Sequence, residues 1–202
     1  MLFIKFQIPN TSKFEDFQVL YKHMGKVRQP NFKFDEAGPE FDWDNMPEDK
    51  VADAVDELNK FLDEQVEPEI YRLKELIPNY ANVFLKNYLL EDSKESIHFS
   101  SPDVLSIFNY LEYGFEVELD NLKVLESSAG IAEFSTNNYP FGGLERFIMT
   151  LMAFGLKPIA CFDGFNECEI NWTSQFNYES TALLKQNRFQ RLRDRIKNRF
   201  LK

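Results

Sequence analysis

Apolar and polar residues alternate at the start of the chain. Ile4, Phe6 and Ile8 are separated by Lys5 and Gln7, and this period of two is typical of a strand with one buried face. The sequence therefore predicts a first strand in LFIKFQI.

The next segment follows a helical period. One face of a helix is predicted by apolar residues three or four positions apart, namely Phe14, Phe17, Tyr21 and Met24. Ser12, with Glu15 three residues later, predicts a capping box at the start of this helix, and Gly25 predicts its end. The segment NFKFDEAGPEFDWDN that follows is rich in turn-forming residues and is predicted to be extended.

Residues 45–113 are predicted to be mainly helical. A long amphipathic helix from about residue 47 to 66 is predicted by the apolar stripe Val51, Val55, Leu58, Leu62 and Val66. Pro68 and Pro78 precede two further helical patterns. Ser101 and Pro102 predict the N-cap and first turn of a helix that ends near Tyr113.

After residue 114 the pattern returns to a period of two. Three strands are predicted, in FEVELD, LKVLES and GIAEFST. Another helix is predicted up to Gly155 by the apolar residues Leu144, Phe147, Ile148, Leu151 and Met152. The segment PIACFDGFNECEINW predicts a hairpin in which Cys161 and Cys168 lie on one face.

Residues 14–25 align without a gap on residues 144–155. Glu15, Phe17 and Gly25 match identical residues, and the only two tryptophans, Trp43 and Trp172, follow the two helices. This similarity is typical either of an internal duplication or of two amphipathic helices that share a few residues. The predicted fold class is α+β: an antiparallel sheet with helices packed on it, which a duplication would arrange as two pseudo-symmetric strand-helix-hairpin units with a helical insertion.

Length and composition predict one compact domain over residues 1–202, with residues 45–113 as an insertion within it. The hydrophobic fraction of 44% and the 21 phenylalanines favour a packed core. No apolar run is long enough for a membrane span or signal peptide. Two cysteines are too few for a disulfide framework, so a cytoplasmic location is predicted.

The charge of −10 is unevenly distributed. Residues 183–202 carry eight Lys or Arg and one acid, which leaves −17 for the first 182 residues. A basic amphipathic helix is predicted there, with the apolar stripe Phe189, Leu192, Ile196 and Phe200. This helix could dock on the acidic body, bind a partner or an anionic membrane, or contact nucleic acid through Arg188, Arg191, Arg195 and Arg199.

The segment NNYPFGGLERF contains the best candidate for a ligand loop. Two glycines precede a helix, whose N-terminus attracts anions, and the candidate ligand-binding residues are Asn138, Tyr139, Gly142, Gly143 and Arg146. No lysine follows the glycines, and the spacing fits no nucleotide-binding motif. Gly142 is predicted to be the N-cap, which leaves Gly143 as a site of close backbone approach.

No other group of residues predicts catalysis, a cofactor or a metal. His23 and His98 lie in separate segments without motif partners, and the two cysteines are predicted to be buried small hydrophobes because nearby acids disfavour thiolates. The acids between Glu40 and Asp49 depart from the calcium-loop pattern.

The sequence therefore favours a non-catalytic binding protein. An acidic body steers basic partners toward it, as in immunity or antitoxin-type neutralisers and adaptors. The predicted surface for a basic protein partner is the outer face of the 47–66 helix, with Asp49, Asp53, Asp56, Glu57, Asp63 and Glu64. The alternative is a small-ligand protein or enzyme with its pocket beside Gly142 and Gly143.

Overall fold

The protein has an α+β fold in which helices pack on one face of an antiparallel sheet, as predicted. The computed structural model describes residues 2–34, 39–64, 68–95, 103–113, 117–126, 128–136, 143–162 and 164–183. The strands in these residues are β1 Leu2–Gln7, β2 Val117–Glu126, β3 Ala129–Thr136, β4 Lys157–Phe162, β5 Glu167–Trp172 and β6 Tyr178–Ala182. The helices are α1 Thr11–Val27, α2 Glu48–Glu64, α3 Pro68–Leu76, α4 Asn79–Glu95, α5 Val104–Glu112 and α6 Leu144–Ala153.

The six strands form one sheet in the order β2-β3-β1-β4-β5-β6. Every neighbouring pair is antiparallel, so β1 runs parallel to β2 with β3 between them, and β3 runs parallel to β4 with β1 between them. Helix α1 follows β1 and helix α6 follows β3. These two split βαβ units interleave into a βαββαβ arrangement, to which β5 and β6 add a hairpin edge.

The core lies between the sheet and its helices. Phe6 from β1, Phe17 from α1 and Phe134 from β3 are at most 2% exposed. The centroid of the Phe147 ring in α6 lies 6.2 Å from that of Phe17 and 5.4 Å from that of Phe134. Burying each such ring contributes about 1.5–3 kcal/mol, so the apolar stripes determine which face of each element turns inward.

The ends of α1 differ from the sequence prediction. Asn10, not Ser12, is the N-cap, because its side-chain oxygen accepts hydrogen bonds from the Ser12 and Lys13 amides at 2.9 and 3.4 Å. The helix continues through Gly25 to Val27. Arg28 is the C-cap residue in place of a glycine. Its guanidinium donates a hydrogen bond to the Met24 carbonyl oxygen of the last turn at 2.8 Å.

Helix α5 also begins differently from the prediction. Asp103 is its N-cap and accepts a hydrogen bond from the Ser106 amide at 2.9 Å. Ser101 and Pro102, the predicted N-cap and first turn, lie outside the described residues. A carboxylate at this position satisfies an otherwise unpaired amide at the start of the helix.

The strands between residues 115 and 136 correct the prediction in one respect. Residues 117–120 of the first predicted strand and residues 122–126 of the second belong to the single ten-residue strand β2, which pairs with β3 and shifts register between Leu119 and Asn121. A bulge of this kind adds a residue without ending the strand, and it produced the apparent break in the pattern. The β4–β5 hairpin is confirmed, and Cys161 and Cys168, which were predicted to share a face, are direct partners in it.

The segments that follow α1 and α6 have different structures. Trp172 lies in β5, whereas Trp43 begins a 3₁₀ turn that ends at Asn45. Asp42 caps this turn by accepting a hydrogen bond from the Asn45 amide at 3.3 Å. The described residues 39–47 form no strand, so the segments downstream of the two helices do not correspond in structure, although a strand precedes each helix.

Candidate functional site

A fully buried carboxylate joins three helices. Glu112 ends the apolar helix α5 and is 0% exposed. Its Oε1 atom lies 2.6 Å from Nε2 of His23 in α1. From α3, Arg72 donates from Nε to Oε1 at 2.9 Å and from Nη2 to Oε2 at 3.1 Å. The carboxylate thus has a bidentate arginine partner and a histidine partner from two other helices.

Arg28 completes this cluster from the C-terminus of α1. Its Nη1 donates to the Glu112 carbonyl at 3.0 Å and its Nη2 to the Leu111 carbonyl at 2.8 Å. One guanidinium therefore binds last-turn carbonyls of both α1 and α5, where backbone oxygens lack helical partners. Burial lowers the pKa of Arg28, but arginine keeps its proton in proteins.

The environment of Glu112 keeps it ionised. Burial by itself raises the pKa of this carboxyl, but the hydrogen bonds from His23 and Arg72 and the charge of Arg72 outweigh burial and lower the pKa below its ordinary value. The buried cluster, defined here as His23, Arg28, Arg72 and Glu112, therefore pairs its negative charge directly with the Arg72 guanidinium.

This lowered pKa predicts a loss of stability in acid. Glu112 binds its proton more weakly in the folded chain than in the unfolded chain, where a glutamate pKa is about 4.3. Its contribution is complete above that pH and is lost as the pH falls through the lower pKa of the folded state. We expect Glu112→Gln to reduce the free energy of unfolding at neutral pH and the difference from the wild type to shrink in acid. Urea unfolding at several pH values measures this, and a constant difference would contradict it.

A cleft of about 490 Å³ opens beside the buried cluster. Its lining consists of Lys33, Phe34, Glu40, Pro68, Glu69, Arg72 and Tyr113. The Arg72 guanidinium lies 4.1 Å from the Phe34 ring centroid, and the Tyr113 ring packs edge-on against the same ring at 6.0 Å. Arg72 thus connects Glu112 on one side with an aromatic wall of the cleft on the other.

The polar groups of the cleft are paired among themselves. The Tyr113 hydroxyl donates to Glu69 Oε1 at 3.3 Å. Burial and the charges of Glu112 and Glu69 raise the pKa of Tyr113 to about 12, so the phenol remains a neutral donor near neutral pH. At the rim, Lys33 and Glu40 form a 3.5 Å ion pair between side chains that are both 80% exposed, which contributes little to stability. The ring of Tyr113, which is 49% exposed, is an aromatic surface that a cationic side chain can approach.

Another group lies very close to the Gly143 backbone, as the sequence predicted, but that group belongs to the protein itself. Gly143, not Gly142, is the N-cap of α6, with φ of 74°. A Cβ atom on it would lie 0.8 Å from the Tyr110 hydroxyl oxygen of α5. Arg146 stacks over the Tyr110 ring at 4.7 Å. Asn138, Tyr139 and Gly142 lie outside the described residues, so the ligand site proposed there stays a prediction.

Helix α2 presents acidic residues to solvent between Asp49 and Glu57. Asp49, Asp53, Asp56 and Glu57 are exposed, and Asp63 and Glu64 lie in its last turn. Of the α2 side chains that the structure describes, only Ala54 is buried. Val51 and Val55 of the predicted apolar stripe remain 38% and 41% exposed. Little of the described α2 surface therefore packs against the rest of the protein.

Sequence reasoning did not identify the buried cluster. His23 was predicted to be structural, whereas Glu112, Arg72 and Arg28 were not singled out. The available signal was one acid within the apolar run VLSIFNYLEY, since a buried carboxylate requires charged partners. His98 and the basic residues Arg188, Arg191, Arg195 and Arg199 lie outside the described residues.

Comparison of the chain with protein-family models, with curated proteins and with solved structures finds no match. Within the described ranges, no helix combines the length and apolar character needed to cross a membrane. The same residues contain no group of three or more His, Cys, Asp or Glu placed to hold a metal ion, so the acids between Glu40 and Asp49 do not converge on one point.

Proposed function

We propose that the protein binds a basic protein partner through the acidic face of α2. The observation that carries this proposal is the solvent exposure of Asp49, Asp53, Asp56 and Glu57 on a helix with only Ala54 buried among its described side chains. Half-exposed Val51 and Val55 add apolar area beside the acids. Protein interfaces combine such apolar contacts with complementary charges.

The end of α2 strengthens the case for a cationic partner. Its last turn contains Asp63 and Glu64 and no basic residue. The carbonyl end of a helix carries partial negative charge, so acids there destabilise the helix by about 0.3–1 kcal/mol each at low salt. A bound cation would offset this repulsion, and the binding energy of a basic partner would include that gain.

The cleft lies close to this end of α2. Pro68, which lines the cleft, is four residues beyond Glu64, a separation of at most roughly 14 Å. The exposed Tyr113 ring in the cleft offers an aromatic face to a basic side chain extending from the same partner. The proposed interface is therefore α2 with the cleft at its base, as in a neutraliser or adaptor of a basic protein.

Charge reversal tests the proposed interface. We expect Asp53→Lys, Asp56→Lys and Glu57→Lys together to weaken binding of a labelled oligolysine peptide at low salt by at least about tenfold, because these acids attract the cationic probe at close range. Fluorescence anisotropy at two salt concentrations measures the affinity and its salt dependence.

The matched control reverses the same number of charges elsewhere. Glu15, Glu169 and Glu179 are exposed residues outside α2, and reversing them changes the net charge equally. We expect this control to weaken binding less than about threefold, because it changes only the long-range attraction between the net charge of the protein and the cationic probe. Equal losses in the two triple variants would contradict a specific α2 interface.

A further inference from the structure

Two cysteine thiols are held opposite each other in the sheet. Cys161 of β4 and Cys168 of β5 are direct partners in the antiparallel register. Both side chains are buried, at 3% and 5% exposure, and no disulfide joins them. Directly opposed residues in such a pair have Cα atoms about 4.5–5.5 Å apart, within the separation of about 4.4–6.8 Å that a disulfide spans. A bond between these thiols therefore requires no change of strand pairing.

The neighbouring strands fix this register from both sides. Ile4 of β1 pairs with Cys161, and Ala182 of β6 pairs with Cys168. The two cysteines therefore occupy the middle of a row that crosses four strands. A slip of β4 against β5 would turn buried side chains to the outer face and is opposed by the pairing on each side. The thiols consequently remain opposite one another.

Both cysteines lie near the loop end of the hairpin. Strand β4 ends at Phe162 and β5 begins at Glu167, one residue beyond each cysteine. In the connecting loop, Gly164 has φ of 101° and Phe165 is 63% exposed. A hairpin end opens locally at a lower free energy than the middle of a sheet, which gives a small oxidant a route to thiols that are otherwise covered.

We propose that Cys161 and Cys168 are a site of reversible intramolecular disulfide formation by hydrogen peroxide. One thiol sulfur attacks a peroxide oxygen, so that an S–O bond forms, the O–O bond breaks and the thiol proton leaves with the departing oxygen as water. The other sulfur then attacks the resulting sulfenic acid. The S–S bond forms, the S–O bond breaks, and the second thiol proton leaves in a second water. The two sulfurs are oxidised and the peroxide is reduced.

The geometry makes this bond a reversible one. Opposed residues have Cβ atoms about 4.5–5.5 Å apart, whereas a disulfide holds them at about 3.5–4.5 Å. The strands must draw together to close the bond, and strain of this kind raises the reduction potential of a disulfide. The dithiol form therefore predominates under reducing conditions, and the disulfide forms when peroxide is supplied.

The test uses the full chain with hydrogen peroxide, followed by alkylation and mass spectrometry. We expect the monomer to lose two hydrogen atoms, to resist alkylation and to regain both reactive thiols with dithiothreitol. Cleavage after Glu167, which lies between the two cysteines, should then yield two peptides that remain joined until reduction. Thiols that stay open to alkylation, that are oxidised to sulfinic acid or that join separate chains would overturn the proposal.

Serine variants provide the matched control. Cys161→Ser and Cys168→Ser each leave a single thiol, so neither variant should lose two hydrogen atoms or yield joined peptides after peroxide treatment, and the remaining thiol should gain oxygen instead. A loss of two hydrogen atoms from the monomer of either variant would show that a group other than the second sulfur closes the bond, and would contradict the proposal. The digestion of the unaltered chain remains decisive even if a serine variant does not fold.

Discussion

Replacing Glu112 with glutamine is expected to lower the free energy of unfolding by about 3 kcal/mol, because removing one member of a buried ion pair leaves the other charge uncompensated. Arg72 has a side chain only 12% exposed and donates to both carboxylate oxygens. An uncharged amide keeps the shape of the glutamate but not its charge. Urea unfolding at neutral pH measures the loss through the transition midpoint and slope.

The matched control for this substitution is Glu69→Gln. Glu69 also lies beside Arg72, but its carboxylate is 4.0 Å from the guanidinium and its side chain is 33% exposed. Solvent screens such a pair, so we expect a loss of less than about 1 kcal/mol. Similar losses in the two variants would show that burial of Glu112 does not determine its contribution.

A double variant separates the charge pair from the volume of its side chains. Glu112→Leu with Arg72→Leu removes both charges, and replacing a buried ion pair by apolar residues is often close to neutral. We expect the pair of substitutions to cost less than the sum of the two single ones. Additive losses would contradict direct coupling between Glu112 and Arg72.

Gly143→Ala is expected to lower the free energy of unfolding by about 2 kcal/mol or more. The backbone at Gly143 has φ of 74°, a conformation that costs a residue with a Cβ atom of the order of 1 kcal/mol. The added methyl group would also lie 0.8 Å from the Tyr110 hydroxyl oxygen and 1.9 Å from Cζ of the same ring. Tyr110 must therefore move, with an overpacking cost of roughly 1–3 kcal/mol.

Gly25→Ala is the matched control for Gly143. Gly25 lies inside α1, and nothing is within 4 Å of a Cβ atom placed on it. Alanine has the higher helix propensity, so this variant should be more stable by roughly 0.5–1 kcal/mol. The two glycine-to-alanine changes thus have opposite expected signs in the same unfolding experiment. Stabilisation of both would show that Tyr110 adjusts freely beside α6.

The helix starts and stops show where local sequence reasoning fails. Ser12 with Glu15 and a glycine at position 25 form a plausible cap and stop for α1, yet Asn10 caps the helix and Arg28 ends it. Arg28 acts as it does because the Leu111 and Glu112 carbonyls of α5 lie beside it. Those oxygens are more than 80 residues away in the chain, so no local pattern predicts them.

Gly143 shows the same distinction at the candidate ligand loop. The sequence predicted that something approaches this backbone closely, and the φ of 74° and the contact with Tyr110 agree with that expectation. Two glycines before a helix are typical both of an anion site and of tight packing. Only the position of α5 decides that a tyrosine occupies the space beside Gly143.

The sequence by itself determined the α+β class, the period of each main element and the placement of Cys161 and Cys168 on one face of a hairpin, because these depend on which face of a short segment is apolar. The tertiary structure alone decided the strand order, the cleft and the buried cluster. Glu112 meets His23 and Arg72 across 89 and 40 residues. Such contacts depend on how whole helices pack against one another, and the hydrophobic pattern that drives packing contains no information about which charges it will bury together.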